Sequence, residues 1–195
     1  MFIGSHNTMT YLPPTKWWMY PFKWVYQTQS KSLKEQLYSG INLIDIRVRF
    51  DKDDRVVLCH GYYEAKTERL KIKDFVHKLL TNIIIFRYVN DVYVRIILET
   101  GRESNSQEVL FAALCRILQE TAPEYITVFG GFRKFDWKKV TNCIPDIPII
   151  QAVSSMMGDA KWYEKICPWL YAKRMNNKNK ELYSKSNEIV LFDFI

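Results

Sequence analysis

The feature that most constrains this chain is the alternation of short β-branched apolar runs with segments of helical periodicity. Such alternation marks βα repetition around a largely parallel sheet. Strands are expected over residues 2–4, Leu43–Phe50, Val56–His60, 94–100, 125–129, 148–153, 169–174 and 189–194. The second and third of these flank Asp51-Lys52-Asp53-Asp54, a polar turn of hairpin type, whereas the other connections are long enough for crossovers. Helices are expected over 32–39, Ile72–Phe86, 106–121, 159–167 and 178–184. The third is the clearest, because Val109, Leu110, Ala113, Leu114, Ile117 and Leu118 share one helical face and Ala122-Pro123 ends the pattern. At about 100–200 residues per domain, 195 residues make one domain with room for a sizeable core.

Composition narrows the partners. Hydrophobic residues at 48% and charged residues at 25% give a globular balance. The apolar runs fall far short of the ~20 residues that cross a bilayer. The first residues lack a basic region followed by a long apolar stretch, so no secretory signal is expected and cytoplasmic synthesis is the default. Cys59, Cys115, Cys143 and Cys167 are scattered without a C-x-x-C pair, which suggests reduced, mostly buried thiols rather than a zinc site or disulfide framework. A net charge of +7 favours phosphate-bearing partners: anionic lipid, a phosphorylated small molecule or nucleic acid. Nucleic acid is disfavoured because the basic residues carry no recognisable recognition motif.

Three histidines occur. His77 falls within a helical pattern and is expected to do nothing chemical. His6 follows the first apolar stub and His60 closes the run Val56-Val57-Leu58-Cys59. Catalytic side chains of parallel α/β barrels gather at the C-terminal ends of strands, where two imidazoles would serve as base and acid. Either one alone reads first as a strand cap bonded to backbone. Asp45 and Arg47 stand two apart in Leu43–Phe50 and so project to one side of the sheet. On a surface strand that side would face water. Inside a barrel the charges would have to pair, and an Arg fork near the mouth suits a phosphate.

Four stretches in order, Gly4-Ser5-His6-Asn7-Thr8, the segment from Gln27-Thr28-Gln29-Ser30 to Tyr38-Ser39-Gly40, Ile44-Asp45-Ile46-Arg47 and Val57-Leu58-Cys59-His60-Gly61, resemble the X domain of phosphatidylinositol-specific phospholipase C. Ile96-Ile97-Leu98-Glu99 is similar to that family's third-strand motif, and Ile189-Val190-Leu191-Phe192-Asp193-Phe194-Ile195 to its closing strand. Between about residues 105 and 185 the likeness is one of kind only. The resemblance implies an irregular TIM-type barrel that cleaves phosphatidylinositol, or a related inositol lipid, into diacylglycerol and inositol 1,2-cyclic phosphate. On that pattern His6 is the general base, His60 the acid and Asp193 the carboxylate that orients His6.

Within the family, Arg47 matches the metal-free bacterial branch, where the guanidinium stands in for the calcium of the other branch. Asn7 and Glu99 instead match the calcium pattern, and Asp45 fits both. A cation beside Arg47 would be repelled by several kcal/mol at contact even at an effective dielectric of about 20. The expectation is therefore no cofactor and no metal. Asn7 stands where the bacterial branch has Asp, which removes a carboxylate from the support of the acid. Asn7, Glu99, Arg102 and Lys173 are expected substrate-binding groups, Glu99 pairing alternatively with Arg47 or Arg102. Arg174, beside Lys173 at the end of an expected strand, is a lesser candidate.

The segment 17–24 contains Trp17, Trp18 and Trp24 and lies after the first strand, so it is expected at the catalytic rim. It either inserts into an anionic lipid surface as a peripheral anchor or folds over the mouth as core. Two other function classes stay open: a related phosphodiesterase acting on glycerophosphodiesters or sphingolipids, and a non-catalytic phosphoinositide-binding module. A monomer is expected. A full (β/α)₈ barrel usually takes ~250 residues. A chain of 195 is thus expected to be a minimal barrel with shortened helices, open at a seam between its first and last strands.

Overall fold

The structure is a computed structural model describing residues 2–99, 105–132, 149–151, 159–183 and 189–194. Its strands are β1 (Phe2–Ser5), β2 (Leu43–Phe50), β3 (Val56–His60), β4 (Tyr63–Glu64), β5 (Val92–Leu98), β6 (Ile126–Phe132), β7 (Ile149–Gln151) and β8 (Ile189–Phe192). The helices are α1 (Lys23–Tyr26), α2 (Leu33–Tyr38), α3 (Ile72–Phe86), α4 (Asn105–Thr121), α5 (Trp162–Ile166) and α6 (Pro168–Tyr183), and 3-10 turns cover Thr8–Tyr11 and Trp17–Phe22. No described helix is long and apolar enough to cross a membrane.

The fold is mixed α/β, and its parallel strands run in the order β6-β5-β2-β1-β8-β7. β1 and β8 pair over four residues, from Phe2↔Ile189 to Ser5↔Phe192. This corrects the expected open seam between the first and last strands. β8 is buried along its whole length, and a buried strand must place its N–H and C=O groups on a neighbour. Among the described residues no ladder joins β6 to β7.

β2 organises the sheet. One edge pairs with β5 from Leu43 to Val48. The other edge is shared: β1 takes Leu43 and Ile44 in parallel, and β3 takes Val48 to Phe50 in antiparallel. β1 therefore climbs this edge and stops just below the level of Asp45, while β3 descends the same edge and stops at His60. The two histidines arrive head to head, one at the end of a parallel strand and the other on an antiparallel return.

The two faces differ in chemistry, as alternation along strands requires. Ile44, Ile46 and Val48 of β2 pack with Leu37 of α2, Val76, Leu79, Leu80 and Ile83 of α3, and Phe111, Leu114 and Leu118 of α4. The opposite face begins with a second apolar cluster of Leu43, Phe129, Ile189 and Leu191. Gly4 faces this plug, where a Cβ would come within 2.5 Å of Leu191 Cδ2 and 3.3 Å of Leu43 Cβ. Above the plug, the same face of β2 carries Asp45 and then Arg47.

The expected strand 169–174 is instead the start of α6, and the expected helix 178–184 is its continuation. Pro168 is tolerated at a helix start because its missing N–H would be unpaired there anyway. The buried positions Tyr171, Ala172, Asn176 and Asn179 lie at helical spacing on one face, but beyond the first turn the two buried residues are polar. A reading keyed to apolar residues loses that face. Of the expected strand 148–153, Ile149–Gln151 is described as β7 and the remainder lies outside the described residues.

Candidate active site

Four elements converge on one cluster of charged and imidazole groups. His6, at the end of β1, has Nδ1 2.6 Å from Asp193 Oδ1, just past β8. Its Nε2 lies 2.6 Å from Arg47 Nη2. A guanidinium only donates, so the network assigns a bare Nε2 and a proton on Nδ1, shared with Asp193. Arg47 also donates from Nη1 to Glu99 Oε1 at 3.3 Å and stands 3.6 Å from Asp45 Oδ2.

Asp45 is completely buried. Its Oδ2 accepts the Asn7 backbone N–H at 3.0 Å, and its Oδ1 lies 3.2 Å from Nε of Arg95 on β5, its register partner. Burial pushes the Asp45 carboxyl up, but Arg95 and Arg47, with His6 and the Asn7 N–H, together outweigh it and hold the group below the usual carboxylate range. Arg95 itself is pushed down to about 10 by burial and stays charged at neutral pH. Sequence reading passed over Arg95. The available signal was a lone charge at an interior position of an otherwise apolar strand.

His60 completes the pair. Its ring centroid lies 6.0 Å from that of His6, at 79° between planes. Its Nδ1 donates to the Tyr26 carbonyl at 2.7 Å, leaving Nε2 as the free edge. Burial, followed by the charges of Arg47 and His6, lowers its pKa to about 4. The folded value therefore lies below the ordinary 6.5, so on acidification the unfolded chain takes the proton first. Stability contributed by neutral His60 is complete above about pH 6.5 and is lost as the pH falls toward 4, by up to about 3 kcal/mol. Denaturant unfolding at pH 7 and pH 4.5 measures this: a His60→Gln variant should lose clearly less stability between the two than the parent chain.

Asn7 is buried and its side-chain amide reaches the Cys59 carbonyl at 3.5 Å, so it ties the end of β1 to the end of β3. Its φ of 43° is a left-handed value that Asn tolerates better than most residues. Glu99 is buried against Arg47. Cys59 is buried beside the site, and burial raises its thiol pKa, which keeps it protonated and inert. Among the described residues no group of three or more His, Cys, Asp or Glu side chains is placed to hold a metal ion.

Lys173 does not join this cluster. It is exposed on α6 with its ammonium 5.3 Å from the Trp169 ring, a position that follows from the helix replacing the expected strand. Arg174 pairs with Glu164 at 2.7 and 2.9 Å. Arg102 lies outside the described residues.

Beside the site, the segment 17–24 keeps only Met19 in the core. Trp17 is 82% exposed, and Trp18, Tyr20, Phe22 and Trp24 are about half exposed. A groove of about 540 Å³ beside it is lined by Trp24 and Gln27 from one part of the sequence and by Pro168, the half-exposed Trp169 and Phe194 from another.

No family model and no curated protein sequence matches the chain. Solved structures do. A structure addressing modulation of membrane binding by the Staphylococcus aureus phosphatidylinositol-specific phospholipase C aligns with a TM-score of 0.63 at 13% identity, over 99% of this chain and 85% of that one. The phosphatidylinositol-specific phospholipase C from Listeria monocytogenes aligns with a TM-score of 0.61 at 18% identity, over 99% of this chain and 87% of that one. Against two further structures of the S. aureus protein, the chain spans about half of their length, 71% of this chain aligning with 49% of that one. The chain thus has the fold of the bacterial phosphatidylinositol-specific phospholipases C over almost all its residues.

Proposed function

We propose, for a chain that shares this bacterial phospholipase C fold, a phosphodiesterase that cleaves phosphatidylinositol or a closely related inositol lipid on an irregular TIM-type barrel. The observation that carries the reading is the pair His6 and His60, with ring centroids 6.0 Å apart, each held at Nδ1 by a group other than its partner, and with Nε2 of His6 against the Arg47 guanidinium that suits a phosphate. His6 Nε2 takes the proton of the inositol 2-hydroxyl, whose oxygen attacks phosphorus. The bond from phosphorus to the glycerol oxygen breaks, and Nε2–H of His60 protonates that oxygen. The products are diacylglycerol and inositol 1,2-cyclic phosphate, and the proton lost by the hydroxyl is balanced by the one given to the leaving group.

Electrostatics supports the division of labour. Asp45, Glu99 and Asp193 against Arg47 and Arg95 leave the cluster with one formal negative charge when both histidines are neutral. A phosphodiester adds another, which draws a proton onto the pair. Asp193 secures the tautomer of His6 and stabilises its imidazolium as it forms. Arg47 neutralises the phosphorane oxygens, for which a planar, permanently charged donor is suited. The hydroxyl then replaces Arg47 as the partner of Nε2. A resident cation has poor standing here, because a second unit charge 4 Å from Arg47 costs about 4 kcal/mol at an effective dielectric of 20. Turnover of phosphatidylinositol in the presence of a calcium chelator tests the assignment.

The exposed aromatic segment is the peripheral membrane contact in this reading, with Lys16 close above the Trp18 ring at 5.7 Å and a basic chain overall. Replacing Trp17 and Trp18 by Ala should weaken partitioning onto vesicles of phosphatidylinositol and phosphatidylcholine by about tenfold or more, read by sedimentation. Unchanged partitioning of the folded variant contradicts insertion.

A further inference from the structure

The ladder between β1 and β8 ends at Ser5↔Phe192, one residue before both His6 and Asp193. The His6 N–H still donates to the Phe192 carbonyl at 3.0 Å, but no ladder pair reaches Asp193, and the contact between the two side chains spans 187 positions of sequence. Two backbone strains adjoin it. Asn7 follows His6 with φ 43°, and Phe194 follows Asp193 with φ 52°, a left-handed value that is costly for a bulky side chain.

Asn176 of α6 donates to the Asp193 carbonyl, and one further segment reaches both strand ends. Thr28 Oγ1 donates to the His6 carbonyl at 2.7 Å, and the Thr28 carbonyl accepts the Phe194 N–H at 2.6 Å. Gln29 Nε2 donates to the Phe192 carbonyl at 2.8 Å and to the His6 carbonyl at 3.2 Å, so one amide bridges the ends of β1 and β8. Both side chains are buried, and Thr10 Oγ1 accepts their two backbone N–H groups at 2.9 and 3.0 Å. Two residues earlier, the Tyr26 carbonyl accepts Nδ1–H of His60. Three of four consecutive residues, Tyr26, Thr28 and Gln29, therefore touch His6 at its backbone, both flanks of Asp193, and the ring of His60, while the Gln27 side chain bonds the Gln29 carbonyl.

We propose that Tyr26–Gln29 is the positioning element of the two-histidine site. Thr28 and Gln29 hold His6 against Asp193, and the Tyr26 carbonyl supports His60 in the place a carboxylate would take. The proposal rests on the reading of His6 and His60 as base and acid, but its geometric part stands in the substrate-free protein. Thr28 and Gln29 are positioning residues, because their side-chain donors go to backbone carbonyls and not to the imidazole rings.

The test uses Thr28→Val, Gln29→Met and the conservative Thr28→Ser in the full chain. Proton and nitrogen NMR of the imidazoles in substrate-free protein reads the His6 Nδ1–H bond to Asp193, and steady-state kinetics on phosphatidylinositol micelles reads its consequence. Expected for Val and Met are a changed or exchange-broadened low-field Nδ1–H signal and a kcat lowered about ten- to a hundredfold, with KM within about twofold. Thr28→Ser should retain both the signal and kcat to within about threefold. Folded Val and Met variants with an unaltered His6 signal overturn the proposal. So does a result in which both fail to fold, because the segment would then be a general structural element. A parent chain inactive on inositol lipid refutes the proposed function instead, and the NMR comparison still decides the positioning claim.

Discussion

Replacing His6 by Ala lowers kcat on phosphatidylinositol by about 10³- to 10⁴-fold, the upper part of the range that a positioned general base supplies. The expectation comes from the two ends of the ring. Asp193 holds Nδ1–H at 2.6 Å, which leaves Nε2 as the nitrogen without a proton. His60 cannot substitute, because its ring is held by its bond to the Tyr26 carbonyl and its pKa is lowered to about 4. Asp193→Asn should reproduce a large part of the loss, since an amide can donate to Nδ1 and favour the wrong tautomer. KM should change little in either variant. A His6→Ala protein retaining more than a tenth of the parent kcat would remove the imidazole from the mechanism.

Arg47→Lys is expected to cost about 10²- to 10³-fold in kcat although it keeps the positive charge. Arg47 serves His6, Asp45 and Glu99 at once through the fork of one planar group. An ammonium is a point charge that cannot span the three and still present two parallel donors to a phosphate. Lysine is also the more informative replacement for stability. Arg47→Met would strip Glu99 of an ion-pair partner and leave a buried carboxylate poorly compensated, a change of several kcal/mol that confuses folding with catalysis. The Lys variant should unfold close to the parent midpoint while losing activity. A kinetically silent Arg47→Lys would mean that the group is only a structural counter-ion to Asp45 and Glu99.

Much of this was readable before any coordinates, and the reasons are specific. β2, β3 and α3 fall on the expected residues because each is bounded by strong local signals: a polar turn on one side of the hairpin and an unbroken helical stripe in 72–86. The gathering of His6, His60, Asp45, Arg47 and Asp193 follows from motif order, and the structure brings these five together. α6 was missed because its buried face carries Asn176 and Asn179, which hydrogen-bond to carbonyls, Asn176 to that of Asp193 and Asn179 to that of Met175. Arg95 was missed because its importance lies in a register partner 50 positions away, and cross-strand register is invisible within one strand. The same holds for Thr28 and Gln29, whose partners lie near the two ends of the chain. The paired seam was missed because length was used to judge closure. β1 and β8 are short, but their pairing needs only two buried runs in parallel register.

Identifying the first product tests the central claim most directly. Phosphatidylinositol in mixed micelles is incubated with the parent chain in excess EGTA, and the reaction is followed by phosphorus NMR. A cyclic phosphodiester resonance of inositol 1,2-cyclic phosphate is expected to appear first, with release of diacylglycerol, and neither is expected with His6→Ala. A non-cyclic inositol phosphate as the first product, turnover only after calcium is restored, or no cleavage of any inositol lipid by the folded chain would contradict it.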